Sequence, residues 1–341
     1  MSGLRVAVER SWSEGPTATT RALALLTTPL SWLWWGATAI RNHRHDRRPA
    51  RRLEGLRVVS VGNLAVGGTG KTPVSSWVVD RLLGQGARPA VVLSGYGEDE
   101  ILLHRRWHPE VPVFADPRRA SALARARDAG ARVVVLDDGF QHRAVARELD
   151  LVLLAAEHRF PGHVMPRGPY REPASALRRA DAVLITRRSA DVDDARRVAA
   201  EVERIASGLV VGCLAISPDG WVDVHGRSAS APKAPLLAVC ALARPKTFTN
   251  ALRAAVEQGT DIRARGFPDH HDYSERDMSR LREDAASEGR TIVATEKDAV
   301  KMARLDTTPD TVRILRSRIE WDWGQSELEA LVDHVTAGRD S

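Results

Sequence analysis

Gly67, Gly68, Thr69, Gly70, Lys71 and Thr72 stand in a row between an apolar, β-branched run at 58–61 and a stretch with the apolar spacing of a helix. A glycine-rich turn that opens a helix aims backbone N–H groups at phosphate oxygens. The Lys that follows reaches the outer phosphates, and the Thr hydroxyl meets Mg²⁺. The strict spacing asks for glycine at position 65, where this chain has Ala65. Strand, turn and helix still follow in the required order, so these residues are expected to bind a nucleotide.

A second signal closes the apolar run in VVVLDDGFQH, 133–142. Carboxylates at a strand end beside a phosphate loop hold Mg²⁺ or its water, which makes Asp137 and Asp138 candidate metal ligands. Taken alone, such a pair also reads as a turn or a helix cap. PDHHDY, 268–273, sets His270 and His271 between two Asp. Adjacent His side chains diverge and no Cys is near, so acid–base work by one His oriented by an Asp fits better than a metal cluster. A satisfied surface loop is the competing reading. TEKDAVK, 295–301, holds two of the five lysines, which stand at 71, 233, 246, 297 and 301. It is not the Asn/Thr-Lys-x-Asp element that reads guanine. It also reads as a helix start, with Thr295 as N-cap and Asp298 at the third helical position.

The elements that must carry these residues follow from length and pattern. A chain of 341 residues has room for two ordinary domains or one large one. Hydrophobic residues make up 43% and charged residues 28%, which argues against disorder. Net charge is +6 and the pI is near 9.8, which favours acidic partners: nucleotides, nucleic acid or an anionic membrane surface. Cys213 and Cys240 make neither a disulfide framework nor a metal site and fit a reducing compartment. From 57 onward apolar runs alternate with helical patterns, with a helix at 71–83 and another near 117–129. That rhythm predicts an α/β fold, a P-loop αβα sandwich with a mostly parallel sheet covered on both faces. It breaks at 208–235, where a Pro-Asp-Gly turn predicts a short β-hairpin linker. The expected division is an N-terminal segment at 1–54, a nucleotide-binding domain at 55–207, the linker at 208–235 and a smaller αβ domain at 236–341.

Residues 22–40 carry no charge, and six Arg against one Asp follow at 41–52. That uncharged length reaches the range of a spanning helix. Pro29 and several threonines weaken the case, while Trp32, Trp34 and Trp35 beside arginines suit a helix lying in the interface. We expect a membrane-associating helix at about 18–42, its basic tail against anionic headgroups. A spanning helix, a signal peptide cleaved near Ala37-Thr38-Ala39 and a core helix are the competing readings.

Seven segments, in order, resemble the tetraacyldisaccharide 4'-kinase family: PLSWLWWGA (29–37), VGNLAVGGTGKTP (61–73), LDDGFQHR (136–143), PRGPYREP (166–173), ALARPKTF (241–248), FPDHHDY (267–273) and TEKDAVK. The resemblance covers nearly the whole chain. It implies two αβα domains joined by a β-hairpin, with the active site in the cleft between them. The implied reaction moves the γ-phosphate of ATP to the 4'-hydroxyl of an acylated glucosamine disaccharide 1-phosphate in lipid A biosynthesis. It takes place at the cytoplasmic face of the inner membrane, with no nucleic acid partner. On that resemblance Lys71 neutralises the β,γ-phosphates, Thr72 and Asp137 hold Mg²⁺, and Glu100 and Asp138 support the metal side. Asp99 and His270 form the pair that takes the sugar proton. Glu172, Gln141 and His142 line the site, and Arg118 and Arg171 meet phosphate charge. Arg171 has a second reading as a partner of Glu172.

One segment departs from the family. Its members carry Ser-Arg-Gly-Tyr-Gly, a long loop and Gly-Asp-Glu-Pro. LSGYGEDEILLHRR, 93–106, lacks the Arg, nearly deletes the loop and leaves Asp99-Glu100 without the flanking Gly and Pro. A different lipid acceptor or weakened catalysis therefore stands beside the main reading. The rival from another class is a membrane-associated regulatory ATPase of the partitioning or septum-site kind. Its signature Lys is Val66 here, and it has no use for PDHHDY or PRGPYREP.

Overall fold

A computed structural model describes residues 8, 12, 17–48, 50–95, 97–242, 245–305 and 311–337. Tyr96 of the shortened segment, and Ala243 and Arg244 of ALARPKTF, lie outside the described residues. The first half carries β1 (Arg57–Asn63), β2 (Pro89–Leu93), β3 (Val113–Ala115), β4 (Val133–Asp137), β5 (Leu149–Ala155), β6 (Ala182–Arg187) and β7 (Val210–Val222). The second half carries β8 (Leu236–Cys240), β9 (Ile262–Gly266), β10 (Thr291–Thr295) and β11 (Val312–Trp323). They join in one sheet of order β3-β2-β4-β1-β5-β6-β7-β11-β10-β8-β9. Neighbours are parallel except β7 and β11. β1 lies between β4 and β5, so the turn after β1 and the carboxylates after β4 meet at the carboxyl edge of the sheet, where open α/β sheets place their ligands.

The Pro218-Asp219-Gly220 signal does not reverse the chain. β7 runs through it and pairs with β11 from Val222↔Ile314 to Cys213↔Trp323, with register shifts that absorb the irregularity. Continued pairing satisfies the backbone groups on both strands, which a local turn preference does not outweigh. The reversal comes at 223–227, closed by the Asp223 N–H on the Arg227 carbonyl (2.9 Å) and a bridge between Val222 and Ser228.

Two helices tie the halves together. α2 (Lys71–Gly84) follows the phosphate loop and buries Val74, Val78 and Leu82. The last helix, α9 (Gln325–Ala337), returns to it, and Leu328, Val332 and Val335 join the same buried cluster. Arg81 clasps Asp333 in a fork of 2.7 and 2.6 Å. The final helix of the 236–341 stretch thus packs on the nucleotide-binding half.

The N-terminal helix, α1 (Ala18–Asp46), starts on a capping box between Thr17 and Thr20 and extends past the expected end. Its buried residues are polar: Thr27, Ser31 and Thr38. Ser31 Oγ accepts from the Arg167 N–H (3.0 Å), the Trp34 indole donates to the Arg171 carbonyl (2.9 Å), and Asn42 donates to Glu172 (2.7 Å). Leu25, Leu26, Trp32, Leu33 and Ile40 are left exposed. Among the described residues no helix is long and apolar enough to cross a membrane.

Candidate active site

The turn between β1 and α2 is tied down through its backbone. Val66 N–H bonds the Pro169 carbonyl (2.8 Å) and Asn63 Nδ2 donates to Thr69 Oγ1 (2.6 Å). The Thr69 carbonyl accepts from the Thr186 hydroxyl (2.8 Å), and the Gly68 carbonyl from Arg188 (2.8 Å). Gly70 has φ 86°, a left-handed conformation that favours glycine, and a Cβ there would also push the Ile216 Cδ1 methyl aside. The first N–H groups of α2 have no intrahelical acceptor, and the helix dipole adds positive potential; together they form an anion cradle.

Lys71 Nζ leaves this cradle toward Asp138 Oδ1, 3.6 Å away. Asp138 adopts a left-handed φ of 61°, and Arg171 donates to both of its oxygens at 3.0 Å. Burial pushes its carboxyl up, but Lys71 and Arg171 hold it below the usual range. Asp137 is buried beside it, with Oδ2 3.1 Å from His104 Nε2 and Oδ1 without a hydrogen-bond partner among the described residues. His104 lies on α3 (Glu98–Trp107), the helix that follows the shortened segment.

The same helix carries Asp99. Despite the missing loop, its carboxylate meets His270 Nδ1, with both oxygens at 3.0 Å. Asp99 is almost fully covered (3% exposed), whereas His270 is 42% exposed and presents the open edge of the pair. Gly97 permits the approach, since a Cβ there would lie 2.8 Å from Asp99 Oδ1 and 2.9 Å from His270 Nδ1. Burial raises the Asp99 carboxyl, but the His270 hydrogen bond and Lys297 outweigh it and bring it down to about 2. Asp99 in turn raises His270 above its ordinary value, against desolvation. Among the described residues only Asp138 and His270 carry positive φ without being glycine. Strain of this kind concentrates at functional sites.

The remaining candidates fall in different places. Gln141 bridges the site, donating to the Asn63 carbonyl (2.8 Å) and accepting from Arg171 (3.2 Å). His142 stays neutral, pushed down to about 4 by burial and by Arg119, Arg147 and His45. Glu100 bonds Lys297 at 2.9 Å, and both share an electrostatic neighbourhood with Asp137. Glu172 is fully buried between Arg179 (2.8 Å), Asn42 and Arg41 (3.7 Å), so it holds α1 rather than lining the site, and Arg171 pairs with Asp138, not with Glu172. Arg118 is 87% exposed, while its neighbour Arg119 is buried beside the Asp137 carbonyl (3.4 Å). Arg119 and His104 stand in no motif, and both meet Asp137, which is distant in sequence. Asn63 and Lys297 lie inside VGNLAVGGTGKTP and TEKDAVK, but neither segment assigns them a role, and Lys297 finds its partner Glu100 across the fold.

The donor set fits Mg²⁺: a hydroxyl at Thr72 and a carboxylate at Asp137 with one buried oxygen unsatisfied, both hard oxygen ligands. A parallel sheet that ends one strand in a phosphate loop and the next in paired carboxylates defines a P-loop nucleotide-utilising protein. A His–Asp pair lies one helix away from those carboxylates. Residues 23–337 match the family model described as tetraacyldisaccharide-1-P 4'-kinase. A tetraacyldisaccharide 4'-kinase of Anaeromyxobacter dehalogenans (strain 2CP-C) is 39% identical over 86% of each chain. One of Anaeromyxobacter sp. (strain Fw109-5) is 36% identical over 98% of this chain and 97% of its own. The crystal structure of "apo" form LpxK from Aquifex aeolicus in complex with ATP shares the fold, with a TM-score of 0.69 at 23% identity, over 90% of this chain and 97% of that one. The chain belongs to the tetraacyldisaccharide-1-P 4'-kinase family.

Proposed function

We propose that the chain moves the γ-phosphate of ATP to the 4'-hydroxyl of a tetraacylated glucosamine disaccharide 1-phosphate, working at the cytoplasmic face of the inner membrane. The observation that carries this reading is the connection of a phosphate loop to a proton acceptor through one helix: Lys71 to Asp138, Asp137 to His104, and Asp99 on the same α3 to His270. A regulatory switch needs the first part and has no use for the last.

The loop N–H groups and Lys71 bind and orient the phosphates, and Arg171 keeps Asp138 in place beside them. Phosphoryl transfer asks mainly for alignment and charge neutralisation. Thr72 and Asp137 would hold Mg²⁺, which supplies further charge neutralisation when bound. His270 meets the acceptor hydroxyl through its open edge and takes its proton, while the buried Asp99 orients the ring and stabilises the imidazolium. The stretches 55–207 and 236–341 serve as the two sides of the cleft.

α1 supports the membrane assignment. It is docked by its polar face, and its apolar face, with Trp32 and Leu33 each 71% exposed, has no cover among the described residues. A bilayer interface accommodates that face and the tryptophans, and Arg41, Arg44, Arg47 and Arg48 suit anionic headgroups. The acceptor's tails would then remain in the bilayer while its sugar enters the cleft.

The reading is tested by ADP release from Mg-ATP with and without a tetraacylated disaccharide 1-phosphate in detergent. Acceptor-dependent release is expected. Release indifferent to the lipid favours the regulatory ATPase instead.

A further inference from the structure

TEKDAVK takes no part in the phosphate loop or the proton-accepting pair, yet it sets two scarce lysines one helical turn apart. It forms α8 (Glu296–Met302), capped by Thr295. Lys297 and Lys301 share one face of it. Lys297 Nζ donates to Glu100 Oε1 at 2.9 Å, and Glu100 is the residue after Asp99. Lys301 Nζ, buried, donates to the His271 carbonyl at 2.8 Å, and His271 is the residue after His270. Asp298, between them, accepts from the Tyr273 hydroxyl (2.8 Å), the Ala241 N–H (3.0 Å) and the Thr295 hydroxyl (2.6 Å). α8 therefore grips the loop of His270 on one side and α3 on the other.

We propose that Lys297 and Lys301 are positioning residues for the Asp99–His270 pair: Lys297 fixes Asp99 through Glu100, and Lys301 fixes His270 through the His271 carbonyl. The inference rests on the reading that this pair takes the acceptor's proton. Both tethers act one residue away from the pair. An ammonium placed directly on Asp99 would compete with the imidazole for its oxygens; routed through Glu100, it leaves the His270 contact intact. Lys301 secures the backbone where His270 holds its left-handed φ of 58°, a conformation that persists only when its surroundings over-determine it. The other polar links between these elements are Trp107 to Glu296 (3.2 Å) and an exposed ion pair between Arg304 and Glu98, the residue before Asp99 (2.6 Å). Exposed pairs hold geometry weakly, so the lysine tethers, which lie inside the site, are the ones that position the pair.

The charged groups around the pair are Asp269 from its own loop, Glu100 from α3, and Lys297 and Lys301 from α8. Asp99 and Asp269 favour the imidazolium and Lys297 opposes it. Loss of Lys297 therefore moves the acid limb of the rate profile to higher pH, which a merely structural role would leave alone.

The experiment measures lipid phosphorylation by the full chain from about pH 5.5 to about pH 9, for wild type and for Lys297→Met, Lys301→Met, Lys297→Arg and Lys301→Arg, with melting temperatures alongside. Each Met variant is expected to lose about tenfold to a hundredfold in kcat, the scale on which small displacements of reacting groups act, with KM for ATP unchanged. Lys297→Met also shifts the acid limb upward, and the arginine variants recover most of the rate. Wild-type kcat in both Met variants overturns the proposal. So does a loss of rate that tracks a lowered melting temperature while the limb stays in place. Absence of transfer by the wild-type chain instead overturns the functional reading and takes this inference with it.

Discussion

His270 is partly exposed while Asp99 lies covered beneath it, and on the proposed reading this asymmetry gives the two residues different work. His270 must be neutral to accept a proton, and its carboxylate partner raises its pKa. Turnover is therefore expected to rise with pH through a value above 6.5, the ordinary histidine range. Asp99→Asn removes the charge that raises it, so the limb should move down toward that range while the rate falls by roughly 10²–10⁴-fold. A pH profile of the variant checks both effects; a limb that stays in place assigns the titration to another group. Asp99 also contributes to stability with a definite sign. Its folded pKa of about 2 lies below the ordinary carboxylate value, so its contribution is present above the unfolded value and is lost as pH falls through the folded one. Acid unfolding of Asp99→Asn should accordingly be flatter between those limits. At this scale the chemistry-bearing motifs were legible. Gly70, Lys71, Asp137, Asp138 and His270 stand in local patterns, because strand-turn-helix geometry is local. Arg119 was not, since sequence cannot say which of two adjacent arginines faces inward: Arg118 precedes the first turn of its helix and points to solvent, and Arg119 begins that turn and is buried. Glu172 misled for a related reason, because its partners come from α1 and from Arg179 and not from the loop it sits in.

Helix α1 inverts the usual burial rule. Its buried hydroxyls face the protein while Leu25, Leu26, Leu30, Trp32 and Leu33 face out, which an apolar, uncharged stretch does not disclose until the docking surface is known. That surface is the 164–172 segment, whose backbone and carboxylate hydrogen-bond Ser31, Trp34 and Asn42. If the exposed face meets lipid, the double variant Trp32→Ser, Leu33→Ser should lose most of its association with anionic vesicles in flotation and retain ATP binding, since neither side chain is buried. Unchanged flotation would remove α1 from membrane attachment. The Pro218-Asp219-Gly220 stretch teaches the reverse lesson. A strong local turn signal was overridden by long-range pairing with β11, a partner about a hundred residues on whose register no local pattern encodes.

At the scale of the whole molecule, alternation of strands and helices predicted the parallel αβ architecture, but not that a single sheet would run through both halves or that α9 would cross back onto α2. The return helix is predicted to matter for stability without touching the site. Leu328 is fully buried, so Leu328→Ala should cost about 2–5 kcal/mol in denaturant unfolding, the usual range for a core leucine. A cost well under 1 kcal/mol would mean that α9 is dispensable to that core. The central claim, a phosphate loop delivering to an alcohol held at His270, spans both halves. It is tested most directly by following the label from γ-labelled ATP into a tetraacylated disaccharide 1-phosphate, with wild type beside Lys71→Ala and His270→Ala. The account predicts label at the 4' position with the wild-type chain, none with Lys71→Ala, and a strongly reduced rate with ATP affinity retained for His270→Ala. Transfer that is indifferent to either substitution, or ATP hydrolysis with no label in the lipid, would contradict it.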